Sequence, residues 1–597
     1  MLWLPIKEGG GEMNRRRFLK NASRYLGALG FAGPLSRTGP WTQAADAQTT
    51  SGLPSQIFIN QLGYLPSHAK VATVAERAST FTVQSTVDSS VVFHGSLSQP
   101  RPDAASGDLV QQADFSGLTT PGRYWLALDT GSISDPFRIG PDVYKQALYM
   151  TMRAFYGQRC GCNVDLGGGY AHPPCHLDAA YHASSGKKGV LKNHGGWHDA
   201  GDYGRYIVNS GISTGTLLWT WEFFEPTVRS LNLNIPESGG KIPDFLAEIQ
   251  WNLEWMLTLQ DKDGGVWQKQ TSEQFCGFIM PQDDHAISYV IGTGYAPYKS
   301  TCATADFCAV MAIAARCYNT CAPQFAQRCL QAARKAWLWC QKYPNVLFDN
   351  PRGVNTGSYA DTGCSDELLW AAAELWRTTG EPAFQNSFLA AYTNGSRGAL
   401  LEVIAPSWSG VSALAYWSYA LSMEKSPDTA AIAIRQSTAG TAHWLQSLSA
   451  NNGYGNTLAM SDYVWGSNGV AANHSLLLIV ANHFQPDAAM LDCALNNLHY
   501  LLGRNCLGIS WVTQLGARPF QHPHHRPSIA GMVSAPWPGL LSGGPNARPA
   551  DSVADTLPNK PPMRMYIDDH LAYSVNEVAI NWNAPLVFLL AAANSLQ

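Results

Sequence analysis

The segment YIDDHLAYSVNEVAINWNAPL runs from Tyr566 to Leu586 and sets the carboxylate of Glu577 in an otherwise low-charge run. The run is helix-compatible, with Asp568 and Asp569 about two turns upstream of Glu577. A carboxyl group in apolar surroundings has its pKa raised, which is the state a general acid needs. Taken alone, the segment reads equally well as a solvated helix carboxylate or a capping residue.

Two further stretches change that balance. HGGWHDAGDYGRY, His194 to Tyr206, places Asp199 and Asp202 three residues apart among glycines and aromatics. Like charges at that spacing raise each other's pKa, so something is expected to be held between them. The plainer reading is a Gly-rich turn whose aspartates cap a helix. SWVTQLGARPFQHPHHRPS, Ser510 to Ser528, pins His524 and Arg526 between Pro523 and Pro527. That rigid loop offers donors suited to sugar hydroxyls, and by itself also reads as a surface turn or a weak metal site.

Composition points the same way. The 597 residues carry only 14% charged side chains and a net charge of −4, beside 20 Trp, 24 Tyr and 21 Phe. Aromatic surface with little charge suits a neutral, stackable ligand such as a sugar. The basic footprint of nucleic-acid binding is missing beyond the N-terminus. There, RRRFLK (Arg15–Lys20), a short apolar run YLGALGFAG (Tyr25–Gly33) and ADA ending at Ala47 resemble a twin-arginine export signal covering residues 1–47. The run is shorter than the roughly 20 apolar residues of a membrane span, so a secreted or periplasmic, monomeric protein without a membrane span is expected. From Gln56 to about Gly140, short alternating runs such as FTVQST and GRYWLALD are broken by turn residues, predicting a small β-sandwich over 55–140. From there to residue 597 the period turns helical, as in QAARKAWLWCQ from Gln331 and AAELWRTTG from Ala372.

Together the three motifs resemble glycoside hydrolase family 9, the inverting cellulases. The fixed positions Tyr566, Asp568, Tyr573, Glu577, Ala579, Asn583 and Ala584 match its C-terminal signature, and Ser510, Val512, Thr513, Gly516, Arg518, Pro523, His524 and Arg526 its histidine signature. DAGDYGRY matches the paired-aspartate segment, and INQLGYLP with Lys70 is similar to the immunoglobulin-like module of one branch. The resemblance implies a multidomain chain, an all-β immunoglobulin-like sandwich followed by an all-α (α/α)6 barrel. It implies Asp202 as general base, Asp199 as co-holder of the same water, Glu577 as general acid, His524 and Arg526 as sugar ligands, and Asp568 as a positioning group. Trp197, His198 and Tyr573 are expected to border the substrate, although packing serves Trp197 and Tyr573 equally well. The implied activity is an endo-β-1,4-glucanase on cellulose or related glucans, with an exo-acting cellodextrinase, β-glucosidase or glucosaminidase as the alternative. A sugar-binding protein on a decayed hydrolase scaffold fits poorly with retention of all three acids.

Two metal sites are expected. Cys160, Cys175, His176 and His194 supply two sulfurs and two imidazoles, a set suited to structural zinc. Cys162 could replace one ligand, or Cys160 and Cys175 could pair as a disulfide. In YADTGCSDELLW, Asp361, Asp366 and Glu367 offer hard oxygens for structural calcium, with Ser365 or Asp366 as helix caps in the alternative. The chain has 13 cysteines; Cys308, Cys317, Cys329 and Cys340 sit in apolar helical context as small hydrophobes.

Overall fold

The computed structural model describes residues 56–192, 195–395 and 403–596. The export-signal stretch and His194 lie outside them.

Nine short strands open the described chain: β1 Ile57–Phe58, β2 Gly63–Tyr64, β3 Val71–Val74, β4 Thr80–Ser85, β5 Val91–Ser96, β6 Arg101–Pro102, β7 Leu109–Asp114, β8 Gly122–Leu128 and β9 Phe137–Ile139. They form two sheets, ordered β1-β3-β7-β6 and β2-β9-β8-β4-β5. In β8 every second side chain, Tyr124, Leu126 and Leu128, is buried, the period-2 pattern of a sheet with one covered face. Phe81, Val83, Phe115, Leu126 and Phe137 fill the space between the sheets.

Helices follow: α1 Lys145–Gly157, α2 Ile207–Val228, α3 Asp244–Thr258, α4 Thr301–Cys317, α5 Pro323–Lys342, α6 Ser365–Thr379, α7 Pro382–Gly395, α8 Ser412–Ser422, α9 Thr429–Asn451, α10 Ser467–Phe484, α11 Ala488–Leu501, and, past the short α12 Arg526–Ala530 and α13 Tyr573–Asn576, α14 Ile580–Ser595. Helices α2, α4, α10 and α14 are buried along almost their whole length, so they can only sit inside. Contacts α14 to α2, α2 to α4, α4 to α6 and α6 to α8 trace the inner wall, and α1, α3, α5, α7, α9 and α11 pack outside it. α5 shows why: Phe325, Cys329, Ala332, Ala336 and Trp339 recur every three or four residues on one buried face, with Arg328, Gln331 and Lys335 outward. The result is six helical hairpins in a ring.

Between the helices, β10 Val164–Asp165 pairs with β11 Ala171–His172, and a five-stranded sheet runs β13 Val190–Lys192, β12 Asp178–Tyr181, β16 Tyr289–Ile291, β15 Lys269–Thr271, β14 Arg205–Tyr206. β14 leads directly into α2. Among the described residues, no helix is long and apolar enough to cross a membrane.

The sandwich meets the barrel through a polar seam. Gln61 donates from its backbone to Leu502 O and from Nε2 to Gly508 O, and its Oε1 accepts from Arg518 N at 2.8 Å. Asn60 reaches His499, Thr73 reaches Gly453 O, and Arg518 pairs with Asp135 across the same boundary. Gln61→Ala strands the Gly508 carbonyl and the Arg518 amide, and is expected to cost about 2 kcal/mol, read as a lower thermal unfolding midpoint.

Candidate active site

The Asp199–Tyr206 loop is gripped from four directions. Its own turn closes through Asp199 N to Gly204 O at 2.9 Å. Gln158 at the end of α1 accepts from His198 N and donates to Ala200 O. Ile580 N donates to Asp199 O, joining the loop to the start of α14. Arg526 donates from N and Nη1 to Gly201 O. Gly201 is required here, because a Cβ would lie 1.9 Å from the His524 carbonyl oxygen.

This turn presents both carboxylates. Asp199 accepts from Asn209 Nδ2 and from the Tyr359 hydroxyl at 2.5 Å. Asp202 Oδ2 accepts from Gly204 N and the Tyr206 hydroxyl, both at 3.1 Å. Glu577 does not lie inside a helix: α13 is a single turn, Glu577 ends it in extended geometry, and its backbone bridges to His524. Asn576 at this break donates to Asp568, which separates Asp568 from Glu577 by a turn rather than a helical face. Burial, then the Asp202 and Asp199 charges, push the Glu577 carboxyl well above its usual range. Burial, then the Asp202 charge, hold Asp199 up at about 8.

Asp568 accepts the backbone amides of Gln521 and His522, so it shapes the turn that presents His524. His524 Nδ1 faces the His570 carbonyl at 2.6 Å, which puts the proton on Nδ1 and leaves Nε2 as the acceptor. Burial lowers this imidazole to about 4, so it is neutral at working pH. Tyr573 packs against His524 and Trp465, with ring centroids 5.7 and 5.3 Å apart, and Trp465 also contacts Glu577. Trp465 was not marked by any sequence motif.

Three expectations need correction. Trp197 is 0% exposed, packs on Phe155 and donates its Nε1 to Glu248, so it borders no cleft. Arg526 turns its guanidinium to the carbonyls of Gly201, Cys276 and Gly277; it clasps two loops rather than pointing at a sugar. His198 belongs to a different group altogether.

That group is Cys160, Cys175, His176 and His198, whose ligand atoms lie within 4.8 Å of one another. His198 completes the set expected of His194. The Sγ atoms of Cys160 and Cys175 are 3.8 Å apart, unbonded, and Cys175 Sγ is 3.7 Å from His198 Nε2. A tetrahedral zinc with bonds of roughly 2.0–2.3 Å needs edges of about 3.3–3.8 Å. His176 Nδ1 is buried without a hydrogen-bond partner, while its Nε2 meets Asp284 at 3.3 Å, the arrangement of a ligand held by a carboxylate behind it. The residues therefore fit zinc.

A second cluster surrounds the start of α6. Both carboxylate oxygens of Glu367, 0% exposed, and of Asp306, 1% exposed, lack hydrogen-bond partners, as does Asp361 Oδ2. The charges of Asp366 and Asp361 act on both Glu367 and Asp306. Burial and the Asp366 charge hold Glu367 up at about 9. Unpaired buried carboxylates are costly, and hard oxygens in this number fit calcium. Neither Ser365 nor Asp366 caps the helix; the N-cap is Cys364, which is bonded to Cys302 as a disulfide 62 residues away. Asp306 stands out in retrospect as a lone acid in the apolar run of α4, a signal present in the sequence.

The model of the glycosyl hydrolase family 9 matches residues 144–590, and that of the cellulase N-terminal ig-like domain residues 53–132. The chain belongs to glycosyl hydrolase family 9. Within that family it is 36% identical to endoglucanase D of Acetivibrio thermocellus, over 90% of this chain and 83% of the relative. It is 32% identical to a cellodextrinase of Butyrivibrio fibrisolvens, over 90% and 99%. A crystal structure of a zinc-binding triple mutant of a family 9 endoglucanase superposes with a TM-score of 0.82 at 35% identity, covering 89% of this chain and 99% of that one. Since the family 9 cleft depends on Gly201 letting two loops touch, Gly201→Ala is expected to lower kcat about 100-fold, with a smaller change in KM, measured on carboxymethyl cellulose.

Proposed function

We propose that this chain is an endo-β-1,4-glucanase that cleaves cellulose or related β-glucans in a single displacement with inversion. Asp202 takes a proton from the attacking water while Asp199 holds the same water. Glu577, protonated beforehand, passes its proton to the departing glycosidic oxygen. The new bond forms on the face opposite the leaving group, so a β-glycoside yields an α-anomer. The observation that carries this reading is Glu577 half-buried beside two aspartates, where desolvation and their charges keep it protonated at a pH that would ionise an ordinary glutamate. His524 serves as a neutral sugar ligand, Asp568 positions its loop, and Tyr573 with Trp465 walls the sugar site.

The exo-acting alternative draws on the likeness to a cellodextrinase along nearly its full length. We place a twin-arginine signal at 1–47, the sandwich at 55–140 and the catalytic domain at 141–597, and read the protein as a secreted monomer. Cys160, Cys175, His176 and His198 would hold zinc, and Asp306, Asp361, Asp366 and Glu367 calcium. A closed four-ligand zinc leaves no open position for substrate, so its contribution is to brace the loop carrying Asp199.

Four measurements test these assignments. Glu577→Gln is expected to reduce turnover of unactivated glucan by about 100- to 10,000-fold, and to spare a substrate whose leaving group needs little protonation. Proton NMR of the first-formed sugar should show the α-anomer; a β-anomer appearing first contradicts single displacement. Elemental analysis of protein purified without chelator should find zinc, lost in Cys175→Ser, and calcium, lost in Asp306→Asn. Products from cellopentaose and carboxymethyl cellulose separate endo from exo action.

A further inference from the structure

Lys269 is 0% exposed, and among the described residues no carboxylate lies within ion-pair distance of its ammonium. Its hydrogen bonds all go to neutral oxygens: Asn350 Oδ1 at 2.7 Å, Thr356 Oγ1 at 3.1 Å, and the carbonyls of Thr356 and Gly357 at 3.3 and 2.7 Å. Burying a charge without a counter-charge in contact is costly, and a neutral side chain could tie a loop to a strand. The position therefore calls for a use of the charge itself.

The geometry around it supplies one. In the β14–β15 pairing, Lys269 stands opposite Tyr206, and its Nζ lies 5.6 Å from that ring's centroid. Tyr206 is the phenol that donates to Asp202. The carbonyls that Lys269 holds belong to Thr356 and Gly357, two residues before Tyr359, the phenol that donates to Asp199. Tyr359 has φ +43°, a left-handed conformation that a tyrosine keeps only when its surroundings impose it. Neighbouring Gln268 adds bonds to the Ser358 and Tyr359 carbonyls. The two phenol rings touch, with centroids 4.9 Å apart.

We infer that Lys269 is a positioning residue for the hydrolysis, one buried ammonium that orients both aspartate-bound tyrosines and sets a positive charge behind the phenol that Asp202 accepts. This rests on the reading of Asp202 as the base. Asp202 faces Asp199, Glu577, Tyr206, Cys276 and Lys269, and the cavity beside it is lined by Tyr203, His176 and Asp284. Of these, Asp199, Glu577 and Asp284 are acids, and Lys269 is the lysine among them. Burial lowers the Lys269 ammonium to about 7 and the Asp202 charge raises it, so it is charged at the acidic pH where a carboxylate titrates.

The test is the pH profile of kcat/KM on cellopentaose for Lys269→Met and Lys269→Gln, the second retaining hydrogen-bonding capacity if the first fails to fold. The acid limb reports the base of the free enzyme. Removing a nearby positive charge favours the neutral carboxyl, so the limb should move up by about half to one pH unit, with kcat about 10- to 100-fold lower. Thr356→Val, which deletes one acceptor and keeps the charge, should leave the limb in place. An acid limb unmoved in the folded lysine variants overturns the inference and leaves Lys269 a loop tie. Asp202→Ala, run in parallel, judges the base separately: an active variant with an unaltered acid limb overturns that assignment.

Discussion

Repulsion between like charges in a space with little water is the constraint to which this cleft answers. Asp199, Asp202 and Glu577 cannot all be ionised together at that proximity without a large cost. The protein resolves the conflict unevenly. Asp199 and Asp202 each receive a phenol, and Glu577 receives an indole. Unequal surroundings make chemically similar groups into an acid and a base, because the proton settles where the charge is hardest to keep.

Such an arrangement survives only if its walls cannot relax. The thiol and imidazole cluster begins at Cys160 and ends at His198, one residue before Asp199, and its Asp284 partner sits on the loop that Arg526 also holds. On the other side, the Cys302–Cys364 disulfide fastens the segment that leads out of Tyr359. Asp199 is thus anchored twice, through its neighbour His198 and through Tyr359, whose hydroxyl it accepts, and the two anchors are chemically unrelated.

Much of this was readable from the chain where chemistry demands short spacing. The aspartate pair, the His524 loop and Glu577 each lie within one local motif, and alternation in GRYWLALD or the apolar period of QAARKAWLWCQ reports directly which face is covered. Direction was less readable than identity. Gly195 and Gly196 both take positive φ, and just beyond them His198 Nε2 meets Cys175 Sγ, a placement that no spacing rule announces. Trp197 had the composition of a sugar platform, but its indole found a buried acid. Cys302 with Cys364, Asp306 with Glu367, and Lys269 with Thr356 are long-range pairings, and one sequence carries no record of which distant residues meet.

The seam between sandwich and barrel has an evolutionary corollary. Gln61 bonds only to main-chain atoms of Leu502, Gly508 and Arg518, Thr73 and Gln112 only to the carbonyl of Gly453, and Arg101 to those of Ala450 and Asn452. A peptide group is the same whatever side chain it bears. At these positions the barrel's sequence is free to drift while the sandwich must keep its amide, hydroxyl and guanidinium groups. Selection at these points is thus borne chiefly by the smaller partner, whereas the side-chain pairs Asn60–His499, His68–Asp492 and Arg518–Asp135 tie the two sequences to each other and mark where they must change together.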